Sequence, residues 1–253
     1  MASLTQVAQV LRCFANSADG QTVTQVSEQT GLHKSTLSRL LRAMRDAGFL
    51  EQAAGSRGYE RGGLWHEMVT SMHVGDSFDA RASAAVRHLC DETGQTGFVS
   101  VRAGTSMIGI VHHVGGNPIQ VGVPIGKLLP VDACATGRAI LAEMDDAQVR
   151  ALLDNAVSHA SPQSPQTMDE LLRRLAQVRK RGYAESTNEV GNGVGALAVA
   201  VRDPANGRSL ALCVTYASAV ITSAERTRAL ELLAQARQRL QSFPSQPSPG
   251  PQP

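Results

Sequence analysis

The 253-residue chain is 42% apolar and 18% charged, the balance of a globular protein with length enough for two domains and ample core. Its net charge of +2 points to no partner by itself. No run of about 18 apolar residues is present to span a bilayer. The opening MASLTQVAQVLRCF lacks the order of a secretory signal, so a cytoplasmic protein is expected.

Along the chain, Leu4, Val7, Ala8, Leu11, Phe14 and Ala15 mark an amphipathic helix from about Ser3 to Asn16, ended by Asp19-Gly20. Residues 22–47 then carry two short helical patterns that meet at Gly31. In the second, Leu37, Leu40, Leu41 and Met44 recur at i, i+3, i+4 and i+7, while Ser35, Ser38, Arg39 and Arg42 repeat that spacing half a turn away. One stripe packs and the other is free; hydroxyls and guanidinium groups together suit phosphates and base edges in a major groove. This reads as the recognition helix of a helix-turn-helix. Gly48 is a helix stop, and Phe49 to Tyr59 offers a hairpin around AAGSRG, which makes the unit winged. Arg57 sits where a wing reaches a phosphate or the minor groove.

Charge distribution agrees. Residues 1–62 hold seven Lys/Arg against five Asp/Glu, and the other 191 residues hold 17 of each, so the whole excess lies in this segment. A boundary is expected near Arg61-Gly62-Gly63. Beyond it come a linker helix (63–76, with Leu64, Met68 and Met72), an α+β domain (77–241) and a Pro/Ser-rich tail (242–253) with too little apolar surface to fold.

Within the larger domain, Phe78 to Thr93 reads as a helix stopped by Gly94. TGFVSVRAG, SMIGIVHHVG and PIQVGVPIG read as strands, and Ala133–Met144 and Asp145–Leu153 as helices. Thr167 is the expected N-cap of a helix over Met168–Arg181. ALAVAVRD and LALCVTYA are strands around PANGR, and a last helix covers Thr222–Leu240. Helices and antiparallel strands around one sheet describe a sensor-like domain with a small-molecule pocket beside the sheet.

Cys13, Cys90, Cys134 and Cys213 have no ligand-like spacing, and His112-His113 point to opposite faces of a strand; no metal site or cofactor is expected. Cys13 and Cys90 read as small buried hydrophobes. GNGVGA at 191–196 lacks the third glycine before a helix and runs into a strand, which argues against a nucleotide loop. No nucleophile–base constellation can be assembled, so an enzyme is not expected. An alternative regulator would sense redox state through Cys134 or Cys213, since Cys134 precedes a helix start that can lower a thiol pKa.

GLHKSTLSRLLRAMRDAGFLE, then PIGKLLPVDACATGRAILAEM and RGYAESTNEVGNGVGALAVAVRD, resemble in order and separation the IclR family of bacterial transcriptional regulators, from about Leu4 to Leu240. The resemblance implies a winged helix-turn-helix joined by a linker helix to a GAF-like α+β effector-binding domain, acting as a homodimer or tetramer on double-stranded operator DNA. It implies DNA contacts at Lys34, Ser35, Thr36, Ser38, Arg39 and Arg42. It implies an effector, commonly a small carboxylate or phenolic acid, held by three elements. These are the helix-opening turn Ala135-Thr136-Gly137, the loop at Ser186, and Cys213 and Thr215 on the final strand. Cys213 reads equally as plain core and Ser186 as a turn hydroxyl. The chain departs from the family pattern at His33, often proline, and in Tyr59-Glu60-Arg61-Gly62, often Tyr-x-Leu-Gly. It departs also at Ser186, acidic in some members, and at Cys213, where a serine is common.

Overall fold

The computed structural model describes residues 3–15, 17, 20–53, 58–72, 78–122 and 125–242. The wing tip with Arg57, the end of the expected linker helix and the tail beyond Ser242 lie outside them. The chain divides into two compact units, Met1–Gly75 and Asp76–Pro253.

In the first unit, α1 (Leu4–Ala15), α2 (Val23–Thr30) and α3 (Lys34–Asp46) precede a hairpin of β1 (Leu50–Gln52) and β2 (Tyr59–Arg61), and α4 (Gly63–Met72) follows. A capping box starts α2: Thr22 accepts from the Gln25 amide while the Gln25 side chain accepts from the Thr22 amide. Gly31 ends it at φ 70°, a left-handed geometry that a side chain would strain, and its N–H closes on the Ser27 carbonyl at 2.9 Å. Leu37, Leu40, Leu41 and Met44 are all buried, joining Val10, Phe14, Val26, Leu50 and Tyr59 in one core. The face of α1 is rotated from expectation. Val10 and Phe14 are its buried residues, whereas Leu4, Ala8 and Ala15 are exposed, because the pattern of apolar residues on α1 fits two overlapping stripes and only contact with α2 and the hairpin selects one. A bridge from Gln21 to Tyr59 adds a third strand segment to the wing that sequence pattern did not disclose.

The second unit opens with α5 (Phe78–Thr93), β3 (Thr96–Ala103), β4 (Ser106–His113), β5 (Leu128–Pro130), α6 (Ala135–Leu141), α7 (Asp146–Leu152) and α8 (Met168–Arg181). It continues with β6 (Ala184–Thr187), β7 (Val194–Arg202), β8 (Ser209–Ala217) and α9 (Ser223–Ser242). The six strands form one antiparallel sheet in the order β5-β4-β3-β8-β7-β6. Along β7 the side chains alternate in size. Leu197, Val199 and Val201 pack with α5 and α9, and Ala196, Ala198 and Ala200 face α6. That small-residue face lets α6, all seven of whose residues are buried, lie close to the sheet. Gly137 is obligatory there, since a Cβ would collide with the Val131 carbonyl.

Three expectations are corrected. The described residues of 118–126 form no strand: Pro118, Gly122 and Gly126 interrupt the run, and the sheet edge is made instead by β5, which begins two residues after Gly126. Ser186 lies in strand β6, not in a loop; AEST is too short and polar to show a period, and its pairing with β7 makes it a strand. The helix expected from Ala133 is shorter, with Cys134 at its N-cap position. Thr167 does cap α8, accepting from the Glu170 amide at 3.1 Å.

Arg138, in the middle of α6, holds these pieces together. Its guanidinium donates to both Glu189 oxygens at 2.5 and 2.8 Å, to the Asp132 carbonyl at 3.0 Å and to the Glu185 carbonyl at 2.6 Å, with both side chains almost fully buried. Arg174 adds a contact to Glu189 at 3.3 Å. Removing one partner leaves a buried, uncompensated charge. Glu189→Gln and Arg138→Met should each lower unfolding free energy by about 3–5 kcal/mol, read from urea denaturation, with the double variant less destabilised than their sum.

Candidate DNA interface and ligand cavity

Because α3 buries one stripe, the opposite stripe faces outward. Lys34, Ser35, Arg39 and Arg42 are exposed, and Thr36 and Ser38 half-exposed. Among the described residues, none of the three cations has an acidic partner; Arg42 only donates to the Ser38 hydroxyl at 3.3 Å. The arrangement is a row of uncommitted donors along one helix, the surface a phosphate backbone or a base edge can satisfy. At the other end of α3, Arg45 is held by its neighbour Asp46 at 2.7 Å.

In the second unit, a small cavity of about 50 Å³ lies between the start of α6 and the small-residue face of the sheet. Five of the six residues expected to hold an effector line it: Ala135 and Thr136 from α6, Ser186 from β6, and Cys213 and Thr215 from β8. Gly137 does not. It sits against Val131, and its amide is directed at the Cys134 sulfur. Pairing register brings the strand residues together: Ser186 is opposite Ala196, which is opposite Thr215, and Cys213 is flanked by Ala198 and Phe98. Sequence reasoning missed Phe98, Ser100, Met107, Gly109 and Lys127 on the same wall. The signal was period two: Phe98 and Ser100 share a face of β3, but which face is inward emerges only from pairing with β8.

The wall is mostly apolar. Thr215 donates its hydroxyl proton to the Val121 carbonyl at 2.6 Å, with the Thr96 carbonyl a second acceptor at 3.2 Å. Ser100 and Ser186, 6% and 4% exposed, have hydroxyls without a protein partner among the described residues. Cys134 departs from the expectation that its place before a helix start lowers its thiol pKa. Burial pushes both Cys134 and Cys213 up, and the Thr136 hydroxyl and Gly137 amide near Cys134 oppose this only in part. A single backbone amide, that of Gly137, acting on a buried thiol does not outweigh desolvation. His112 stacks on Phe98 at 5.0 Å between centroids, and His113 lies 3.0 Å from the Ser83 hydroxyl, so the two histidines diverge. Among the described residues there is no cluster fit for a metal ion, and no helix is long and apolar enough to cross a membrane.

A winged helix-turn-helix with an uncommitted recognition face, in one chain with a GAF-like α+β domain, defines a DNA-binding transcriptional regulator. Residues 3–54 match the IclR helix-turn-helix domain, and residues 67–242 match the bacterial transcriptional regulator IclR C-terminal domain. The chain belongs to the IclR family. It is 32% identical over 217 residues to the transcriptional repressor IclR of Escherichia coli K12, a match covering 79% of this chain and 74% of that protein. To the HTH-type transcriptional regulator XynR of the same organism it is 29% identical over 238 residues, 92% and 93% of the two chains. The crystal structure of an IclR regulator from Alicyclobacillus acidocaldarius aligns with a TM-score of 0.80 at 26% identity, covering 95% of this chain and 99% of that one. An IclR homolog from Microbacterium hydrocarbonoxydans, solved in complex with 4-hydroxybenzoate, shares the fold with a TM-score of 0.77 at 17% identity, covering 95% and 99%.

With their thiols protonated and enclosed, Cys90, Cys134 and Cys213 should resist iodoacetamide at pH 8 in the native protein and react in urea, as mass spectrometry of the digested protein would show. The Cys90 thiol, raised from 9.0 to about 11, binds its proton more tightly folded than unfolded. Its stabilising contribution is complete below pH 9 and is lost as pH rises toward 11, by up to about 1.4 kcal/mol per pH unit. Thermal melts at pH 8, 9 and 10 check the sign.

Proposed function

We propose that this IclR-family protein reads a specific operator with α3 and is controlled by a small carboxylate or phenolic acid in the cavity of its α+β domain. The observation that carries the first half is the division of α3: four buried apolar residues on one face, and on the other Lys34, Arg39 and Arg42 without acidic partners among the described residues. Lys34, Ser35, Thr36, Ser38, Arg39 and Arg42 are the DNA contacts of this reading, with Arg57 reaching the backbone from the wing. The second half is supported by the lining of the cavity, apolar with a few convergent hydroxyls, and by the ligand of the Microbacterium homolog.

In this mechanism the protein works as a homodimer, or as a tetramer made of two such dimers, because two recognition helices one DNA turn apart read more bases than one. Effector binding favours one of two conformations of the chain, and α4 passes that preference to the spacing of the paired wings. The redox alternative, thiolate chemistry at Cys134 or Cys213, is disfavoured by the burial that keeps both thiols protonated.

Selection of genomic fragments by the purified protein at two salt concentrations tests the DNA reading. A single enriched palindrome supports it, and weak, steeply salt-dependent binding without a motif defeats it. On that operator, Arg39→Ala or Arg42→Ala should weaken binding by about 1–3 kcal/mol in gel-shift titrations where the residue bonds a base, and unchanged affinity in both would move the recognition surface elsewhere. Saturating effector should alter operator affinity or footprint; no change in either would defeat the coupling.

A further inference from the structure

The cavity wall carries a second polar end that the resemblance does not supply. In the β4–β5 register, Met107 faces Leu129 and Ile108 faces Leu128, so Lys127 occupies the next position, beside Gly109. Gly109 in turn faces Ser100 across the β3–β4 pair. Ser100 on β3, Gly109 on β4 and Lys127, one residue before β5, therefore form one row, and all three line the cavity. Lys127 is the one charged side chain on that wall, and it has no acidic partner among the described residues. Ser100 is 6% exposed, with a hydroxyl that no protein group engages among the described residues. Between them Gly109 presents no side chain. Packing does not demand this: an added Cβ would meet only Ile125 and Phe98, at 3.6 and 3.7 Å, ordinary contact distances. The glycine leaves a slot between a cation and an unsatisfied hydroxyl.

We propose that Lys127 and Ser100, facing across Gly109, are the specificity-determining anion end of the cavity, and that the effector is a single-ring aromatic acid with a hydrogen-bond donor opposite its carboxylate. The inference rests on the reading of this cavity as the effector site. Its length argument comes from the sheet. Ser100 faces Ala211, and Thr215 lies four residues further along β8, about 13 Å at strand rise. A ring with para substituents, about 7 Å end to end, plus a hydrogen bond of about 3 Å at either end, spans that gap; a two- or three-carbon acid does not. The chemistry at the far end follows from Thr215, whose proton is already given to Val121. Its oxygen can only accept, so the effector must donate there. The ring itself lies against Phe98 and Cys213, which face each other across β3 and β8.

Calorimetric titration of the purified full-length protein tests this with three probes: 4-hydroxybenzoate, its uncharged analogue 4-hydroxybenzamide, and 4-methoxybenzoate, which keeps the charge and lacks the donor. The expected result is binding of the hydroxy acid about tenfold or more tighter than either analogue, the size of a lost hydrogen bond to a charged group. Lys127→Met should bring the acid down to the level of the amide and leave the amide unchanged. Ser100→Ala should shift the acid in the same direction, and Gly109→Ala should weaken all three probes by filling the slot. An acid-to-amide ratio that survives in Lys127→Met overturns the inference, as does failure of the wild type to bind 4-hydroxybenzoate. Ala196→Leu, which fills the cavity away from this end, separates the two levels of the argument. If it abolishes binding while Lys127→Met does nothing, the cavity is the site and the anion end is wrong; if it leaves binding intact, the cavity reading falls as well.

Discussion

The second unit depends on a guanidinium that cannot be left alone. Arg138 is carried into the interior by α6, which lies on the small-residue face of the sheet, and the oxygens it meets come from three different segments: Asp132 before the helix, Glu185 on β6, Glu189 in the turn after it. A buried ion pair contributes little net stability over an apolar substitute of the same shape, but removing one half is costly. Its effect is on geometry. The helix, the strand and the turn must meet at Arg138 or leave a charge unpaired, and the cavity is the space that this meeting leaves beside the sheet.

That space exists because the sheet is two-faced in size as well as polarity. Both faces of β7 and β8 are buried, one under α5 and α9, the other under α6. Leucines, valines and Tyr216 fill the first side; alanines, Cys213 and Thr215 occupy the second. Close-packed interiors tolerate few voids, so a row of small side chains must be met by a close backbone or by something bound. Gly137 against Val131 is the close backbone. Further along, toward Ser100 and Gly109, hydroxyls without a partner among the described residues line the cavity.

Where a pattern is local and repeated, it was legible. The buried and exposed stripes of α3 followed from spacing alone, because a helix of 3.6 residues per turn leaves no other way to separate four apolar residues from three cations. Thr167 announced α8 by the same local chemistry. Failures came where two local readings compete. The apolar residues of α1 fit more than one stripe; PIQVGVPIG has strand composition but is broken by proline and glycine; AEST has no period at all. The cavity was legible in part. Residues from three of its elements were expected there, yet Gly109 and Ser100 lie on strands, and Lys127 just before one, whose alignment no local rule supplies.

The sequence by itself determined the elements that carry their own signal, the helix-turn-helix with its free basic face and the alternating strands of an α+β domain, since propensity, capping and periodicity act over a few neighbouring residues. Only the tertiary structure decided which face of each strand became a wall, that a mid-helix arginine would meet Glu189 across 51 positions, and that Lys127 and Ser100 would share a row. Register between distant strands is set by burial of the whole sheet at once, and one residue of slip would have turned every one of these side chains to the other face.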